Sequence, residues 1–133
     1  MKRPITPYAH GVIDYATTAM VAAAPRIMRF PKPAAAACYA LAGGMAGLAM
    51  LTDYPLAAKR AIPFKAHGVS DLSLIGLIPA LPWLLGFADN ARARNFFLGL
   101  TAMSVAVVAM TNWKEESDRS ERRPKKRRRR MAA

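Results

Sequence analysis

Cysteine is nearly absent: Cys38 is the only one in 133 residues. That excludes an intramolecular disulfide, a redox dithiol and a zinc site built on paired thiolates. Cys38 lies in an apolar stretch and reads as a small hydrophobic residue. Acidic residues are scarce, 8 against 20 Lys and Arg, leaving a formal charge of +12. No glycine-rich phosphate loop occurs, and no nucleophile stands beside an oriented base. The chain therefore reads as non-enzymatic, with no cofactor. Polar helix faces are missing too. Ala34–Leu51 contains no charged residue, whereas a soluble amphipathic helix needs a wide polar face.

What is present instead is four apolar blocks: Tyr8–Ala24, Ala34–Leu51, His67–Phe87 and Phe96–Trp113. Each approaches the ~20 residues that cross a bilayer, so the expectation is four transmembrane helices. The first is expected to be a retained transmembrane helix and not a cleaved signal peptide. His10 and Asp14 interrupt it, and Pro25 would directly follow the cut. Prolines from Pro25 to Pro33 are expected to stop helix one, and Pro79 and Pro82 to kink or end helix three in its last turns. Polar stretches at Thr52–Phe64 and Ala88–Asn95 read as loops. On helix two, Ala36, Ala40 and Gly44 fall at spacing four, as do Gly43 and Gly47. Such small residues let helix backbones approach closely.

Basic residues divide unequally between the two sides of such a bundle. The N-terminal arm, the central loop and the segment from Lys114 to Arg130 hold 15 Lys and Arg, and the other two loops hold 5. Positive charge marks the cytoplasmic side, which places both termini inside. The expected localisation is the bacterial inner membrane, with residues 1–113 forming the membrane domain and 114–133 a basic cytoplasmic tail. In that tail Lys125, Lys126, Arg127, Arg128, Arg129 and Arg130 form one run after Pro124. The run repels itself and should be disordered. It suits anionic headgroups at about 1 kcal/mol per basic residue, a contact that salt-dependent binding to anionic vesicles would reveal. It lacks aromatics for stacking on bases, which argues against specific nucleic-acid recognition. A homo-oligomer or a partner within a membrane complex is compatible with this reading.

The motif around which the chain is organised occurs twice. Ala9-His10-Gly11-Val12-Ile13-Asp14 returns as Ala66-His67-Gly68-Val69-Ser70-Asp71, 57 positions on. Pro25 and Phe30 match Pro82 and Phe87 at the same offset, and Leu51-Thr52-Asp53-Tyr54 matches Met110-Thr111-Asn112-Trp113 at an offset of 59. An internal duplication is the direct reading, with one unit over about 5–54 and a second over about 62–113. His and Asp four apart share one helix face, roughly 9 Å inside the hydrocarbon at ~1.5 Å per residue. An aspartate there costs on the order of 2.5–3.5 kcal/mol if it faces lipid. Two-helix units in tandem run parallel to each other about the membrane normal. His10, Asp14, His67 and Asp71 can then converge near the cytoplasmic side, with Asp53 and Asn112 at the rim. Three uses compete for this cluster: a structural hydrogen-bonded network, a site for protons or a small quinone-like ligand, and a metal or haem site.

The second half carries a resemblance. Ala80-Leu81-Pro82-Trp83-Leu84-Leu85-Gly86-Phe87-Ala88-Asp89 is similar to the signature of SPW-repeat membrane proteins, a bacterial family of two-helix units with Ser-Pro-Trp and then Gly-Phe at the outer end of the first helix. The signature positions are Pro25, Phe30, Pro82, Trp83, Gly86 and Phe87. The chain departs from it: Ala24 and Leu81 replace the serine, Arg26 the tryptophan and Arg29 the glycine. The resemblance implies an all-α integral membrane four-helix bundle of two tandem two-helix repeats, and it brings no activity. The expected role is a scaffold or accessory subunit, the alternative being a proton, small-ligand or metal binding or transport module.

Overall fold

Thr6 opens the first helix by accepting a bond from the Ala9 amide at 3.2 Å, with Pro7 in the first turn, where its missing N–H costs nothing. The computed structural model, which describes residues 3–114, is all-α. Helix α1 spans Pro7–Ile27 and α2 Lys32–Leu51. Helix α3, Phe64–Leu77, continues through a 3-10 turn at Ile78–Ala80 into the short α4, Leu81–Leu84, and α5 spans Ala91–Met110. No strand occurs among the described residues, only two isolated bridges.

Pro25 does not stop helix one; the helix passes through it to Ile27. A proline in the last turn removes one backbone bond and leaves the rest of the helix intact. The stop comes at Arg29, in the left-handed region with φ of 53°. Around it the Met28 amide donates to Ala24 at 2.8 Å and the Phe30 amide to Pro25 at 3.0 Å, a Schellman-type closure. The third rod ends the same way 57 positions on. Gly86 has φ of 71°, Leu85 donates to Leu81 at 2.9 Å, and Phe87 donates to Pro82 at 2.8 Å. The signature thus has a mechanical meaning: the proline carbonyl accepts the closing bond, and the glycine takes the turn no other residue takes cheaply. Exposed Arg29 carries that conformation at a cost of about 1 kcal/mol. Arg29→Gly should therefore raise the thermal unfolding midpoint in detergent, by about 0.5–1 kcal/mol of stability. An unchanged or lower midpoint would show that the arginine relieves its strain through other contacts.

The fourth rod begins earlier than its apolar run. Asn90 caps it by accepting from the Ala93 amide at 3.0 Å, so Ala91–Asn95 is first turn and not loop. Arg92 then reaches back to the free carbonyl of Met28 at 2.8 Å, tying the end of α1 to the start of α5.

Helix α1 packs along α2, while α3 and its 3-10 turn pack on α5. Val21, Cys38, Ile78, Phe87 and Phe97 share one core joining these pairs at one end. Within it Phe87 meets Phe97 at 5.1 Å, and Phe30 meets Phe96 at 5.4 Å. At the other end Ala49, Tyr54 and Phe64 form a second cluster. The small-residue rows of α2 are not part of this packing. Ala36, Ala40, Gly43, Gly44 and Gly47 are all exposed, and a Cβ at any of the three glycines meets nothing within 4 Å. The buried face of α2 is Ala34, Ala37, Cys38, Ala42 and Ala49.

Backbone crossings close the second end. The Ile62 amide donates to Leu51 at 2.8 Å and Asp53 donates to Ile62 at 2.7 Å. In the other half Ile5 donates to Met110 at 3.1 Å and Asn112 to Ile5 at 2.8 Å. Each segment entering a long helix is thus laid beside the segment leaving the opposite pair.

Candidate functional site

Those crossings fix the entry points of α1 and α3, and each helix opens with its His and Asp one turn apart. The four side chains form a closed ring. His10 Nε2 lies 3.4 Å from Asp14 Oδ1 and 3.3 Å from Asp71 Oδ2. His67 Nε2 lies 3.3 Å from Asp14 Oδ2 and 3.4 Å from Asp71 Oδ1. Each carboxylate spreads its two oxygens over both imidazoles, and each imidazole faces both halves of the chain. The two histidines are 1% and 2% exposed. The carboxylates stand within ion-pair reach, yet neither Nε2 has a hydrogen bond of acceptable geometry.

Two threonines, unforeseen in the sequence reading, set the orientation of the rings. His10 Nδ1 meets Thr111 Oγ1 at 2.8 Å, and His67 Nδ1 meets Thr52 Oγ1 at 2.7 Å. Both hydroxyls spend their single proton elsewhere: Thr111 donates to the Val107 carbonyl and Thr52 to the Leu48 carbonyl, each at 2.6 Å. A hydroxyl whose proton is used can only accept. Both Nδ1 atoms are therefore the donors, and both Nε2 atoms are turned into the ring. Each threonine serves the histidine of the opposite half.

Asp53 and Asn112 do not join the ring. Asp53 pairs with Arg60 at 3.5 Å, and Asn112 Oδ1 accepts from the Lys114 amide at 3.3 Å. The reason is the backbone. Thr52 and Thr111 end their helices in extended conformation, where successive side chains point to opposite sides. With the threonine turned inward, the next residue turns out. The sequence carries the signal, because Thr52 and Thr111 match each other at the same offset as Asp53 and Asn112. Thr18, the next step of the polar line on α1, has a buried hydroxyl without a partner.

Aromatic rings close one side of the ring. Trp113 meets His10 edge-on at 5.2 Å between centroids, Phe64 meets His10 at 5.5 Å, and Tyr54 meets His67 at 6.2 Å. Gly11 and Gly68 make room for this plate, Gly11 under Tyr54 and Gly68 under Trp113. Burial, reinforced by the Asp14 carboxylate, pushes the Tyr54 hydroxyl above its ordinary range, so it stays protonated. On the other side a cavity of about 50 Å³, partly open to the surroundings, runs inward from the ring. Beyond the ring its walls are mostly apolar, among them Met45, Leu74, Ile78 and Met103, with Thr17 and Ser104 as further polar contributors. The arrangement is a polar floor at the head of an apolar chamber.

Of the signature positions, Pro25, Pro82 and Phe87 are buried, Phe30 is half-buried, and Trp83 and Gly86 are exposed at the far end from the ring. The basic run Lys125 to Arg130, with its expected disorder, lies outside the described residues. No protein family, curated protein or solved structure matches the chain.

Proposed function

We propose that the chain is a small multi-pass protein of the bacterial inner membrane, a tandem duplication of an SPW-repeat-like two-helix unit, and that it acts as a binding module whose His/Asp ring receives a cation. The observation that carries the binding reading is the pair of buried Nε2 atoms aimed, with two carboxylates, at the head of an internal cavity. A scaffold needs neither the cavity nor the inward nitrogens.

Several findings support the setting. Helices α2 and α5 are long and apolar enough to cross a membrane, and only 22% and 17% of their apolar stretches is buried within the chain. Core helices of a soluble protein would be mostly buried. The other two rods turn large apolar residues outward as well, among them Ile27, Val69, Leu72 and Leu84. In lipid such a surface needs no further cover. The duplication is supported by the helix stops at Arg29 and Gly86 and by the crossed threonine bonds. Cytoplasmic termini follow from the division of basic residues.

Single cysteines placed in a Cys38→Ala background test both parts together. A membrane-impermeant reagent should label Asp89→Cys from outside intact cells and Ala58→Cys only from the inside. A small permeant reagent should reach Ser104→Cys through the cavity. Outside labelling of Ala58→Cys would sink the topology, and an inert Ser104→Cys in folded protein would favour a closed structural network.

A further inference from the structure

Resting on that reading, we infer that the cation is a first-row divalent metal ion of the zinc class, held by His10 Nε2, His67 Nε2 and the carboxylates of Asp14 and Asp71. Three observations carry the assignment.

The first is distance. A hydrogen bond between a protonated imidazole and a carboxylate closes to about 2.7–2.9 Å. All four contacts here stand at 3.3–3.4 Å and none is aligned as a hydrogen bond. Four ligand atoms at ~2.0–2.1 Å from a tetrahedral zinc ion are separated by about 3.3–3.4 Å along each edge. The four contacts fall on four different carboxylate oxygens, each at the nitrogen-to-oxygen separation of two zinc-bound ligands and too wide for a hydrogen-bonded square. Donor atoms of His10, Asp14 and His67 lie within 4.8 Å of one another, and the two oxygens of Asp71 lie 3.3 and 3.4 Å from the two histidine nitrogens, one on each.

The second is the tautomer. A ligating histidine donates its remote N–H to an acceptor that fixes the ring and raises its basicity. Thr111 and Thr52 accept from Nδ1 in just that position. The nitrogens that remain for the ring centre are buried and face carboxylate oxygens.

The third is charge. Metal-bound imidazoles are neutral, so with both carboxylates in the shell the ligands would supply a charge of −2, the sum that one divalent ion cancels. Mixed imidazole and carboxylate donors suit zinc, cobalt, manganese or ferrous iron, and no thiolate is present to select a softer ion. The ion would join the two halves of the chain, since each half supplies one His and one Asp.

The test uses full-length, tag-free protein in detergent, stripped with chelator and titrated with Zn²⁺, then with Co²⁺. The expected result is one ion per chain, a higher unfolding midpoint with metal, and the intense visible absorption of four-coordinate cobalt. Thr52→Val and Thr111→Val should each weaken binding by about 10–100-fold, and Thr→Ser at either position should restore it. Combined Asp14→Asn and Asp71→Asn, which keep shape, should abolish the stoichiometric site. The assignment is overturned if the folded chain binds neither ion, if the asparagine pair binds as before, or if cobalt shows only a weak six-coordinate spectrum. If metal fails to bind while Ser104→Cys still reacts, the inference falls and the binding-module reading stands. Metal binding with an inert Ser104→Cys would uphold the ion and reduce its role to a structural one.

Discussion

His10→Ala should cost about 3–5 kcal/mol of stability, read from denaturant or thermal unfolding in detergent. The imidazole is 1% exposed, and it is the one group touching Thr111, Asp14 and Asp71 at once. Its removal leaves the Thr111 hydroxyl without its donor and the two carboxylates without one of the two nitrogens they share. Breaking a buried charged cluster by deleting one member is far more damaging than never having built it. The ring packing against Phe64 and Trp113 is lost as well. A useful control is Arg60→Ala. Arg60 is paired with Asp53 at 3.5 Å, but both side chains are substantially exposed. That change should stay within about 0.5 kcal/mol. A comparable loss at the two positions would mean that the ring is no more than a surface ion pair.

The second large effect is steric. A Cβ at Gly11 would overlap the ring of Tyr54, with Cδ2 only 2.7 Å away, and Tyr54 is fully buried with no direction in which to retreat. Gly11→Ala should therefore destabilise by about 1–3 kcal/mol net of the helix propensity that alanine gains. Gly68→Ala meets Trp113 Cζ3 at 2.9 Å, but Trp113 is half-buried and can tilt. Its cost should be smaller, below about 1 kcal/mol after the propensity gain. Thermal unfolding of the two variants side by side gives the order. Equal losses, or the reverse order, would contradict the assignment of Tyr54 as the more tightly held half of the aromatic plate.

How far the site was legible follows from the kind of constraint each residue carries. His10, Asp14, His67 and Asp71 could be picked out because polar groups in apolar helices demand a partner, and their spacing repeats. Thr52 and Thr111 were passed over. Hydroxyls at helix ends are common, and their inward turn depends on extended backbone that spacing does not show. The helix boundaries erred for similar reasons. Pro25 signals an end, but the end is made by the left-handed residue four positions later. Asn90 begins α5 in what reads as a polar loop. Small residues on α2 suggested close packing, and the chain places them outward, because Ala34, Ala37, Cys38 and Ala42 on another face already fill the core.

The claim at the centre is that His10, from one half of the chain, shares a single closed centre with Asp71 of the other. A double-mutant cycle with His10→Ala and Asp71→Asn measures this directly, because the two residues are 61 positions apart in sequence and 3.3 Å apart in space. The ring predicts strong non-additivity, with a coupling energy of about 1–3 kcal/mol in the unfolding free energy. Additivity to within about 0.5 kcal/mol, in variants shown to be folded, would mean that the two halves do not meet at this site.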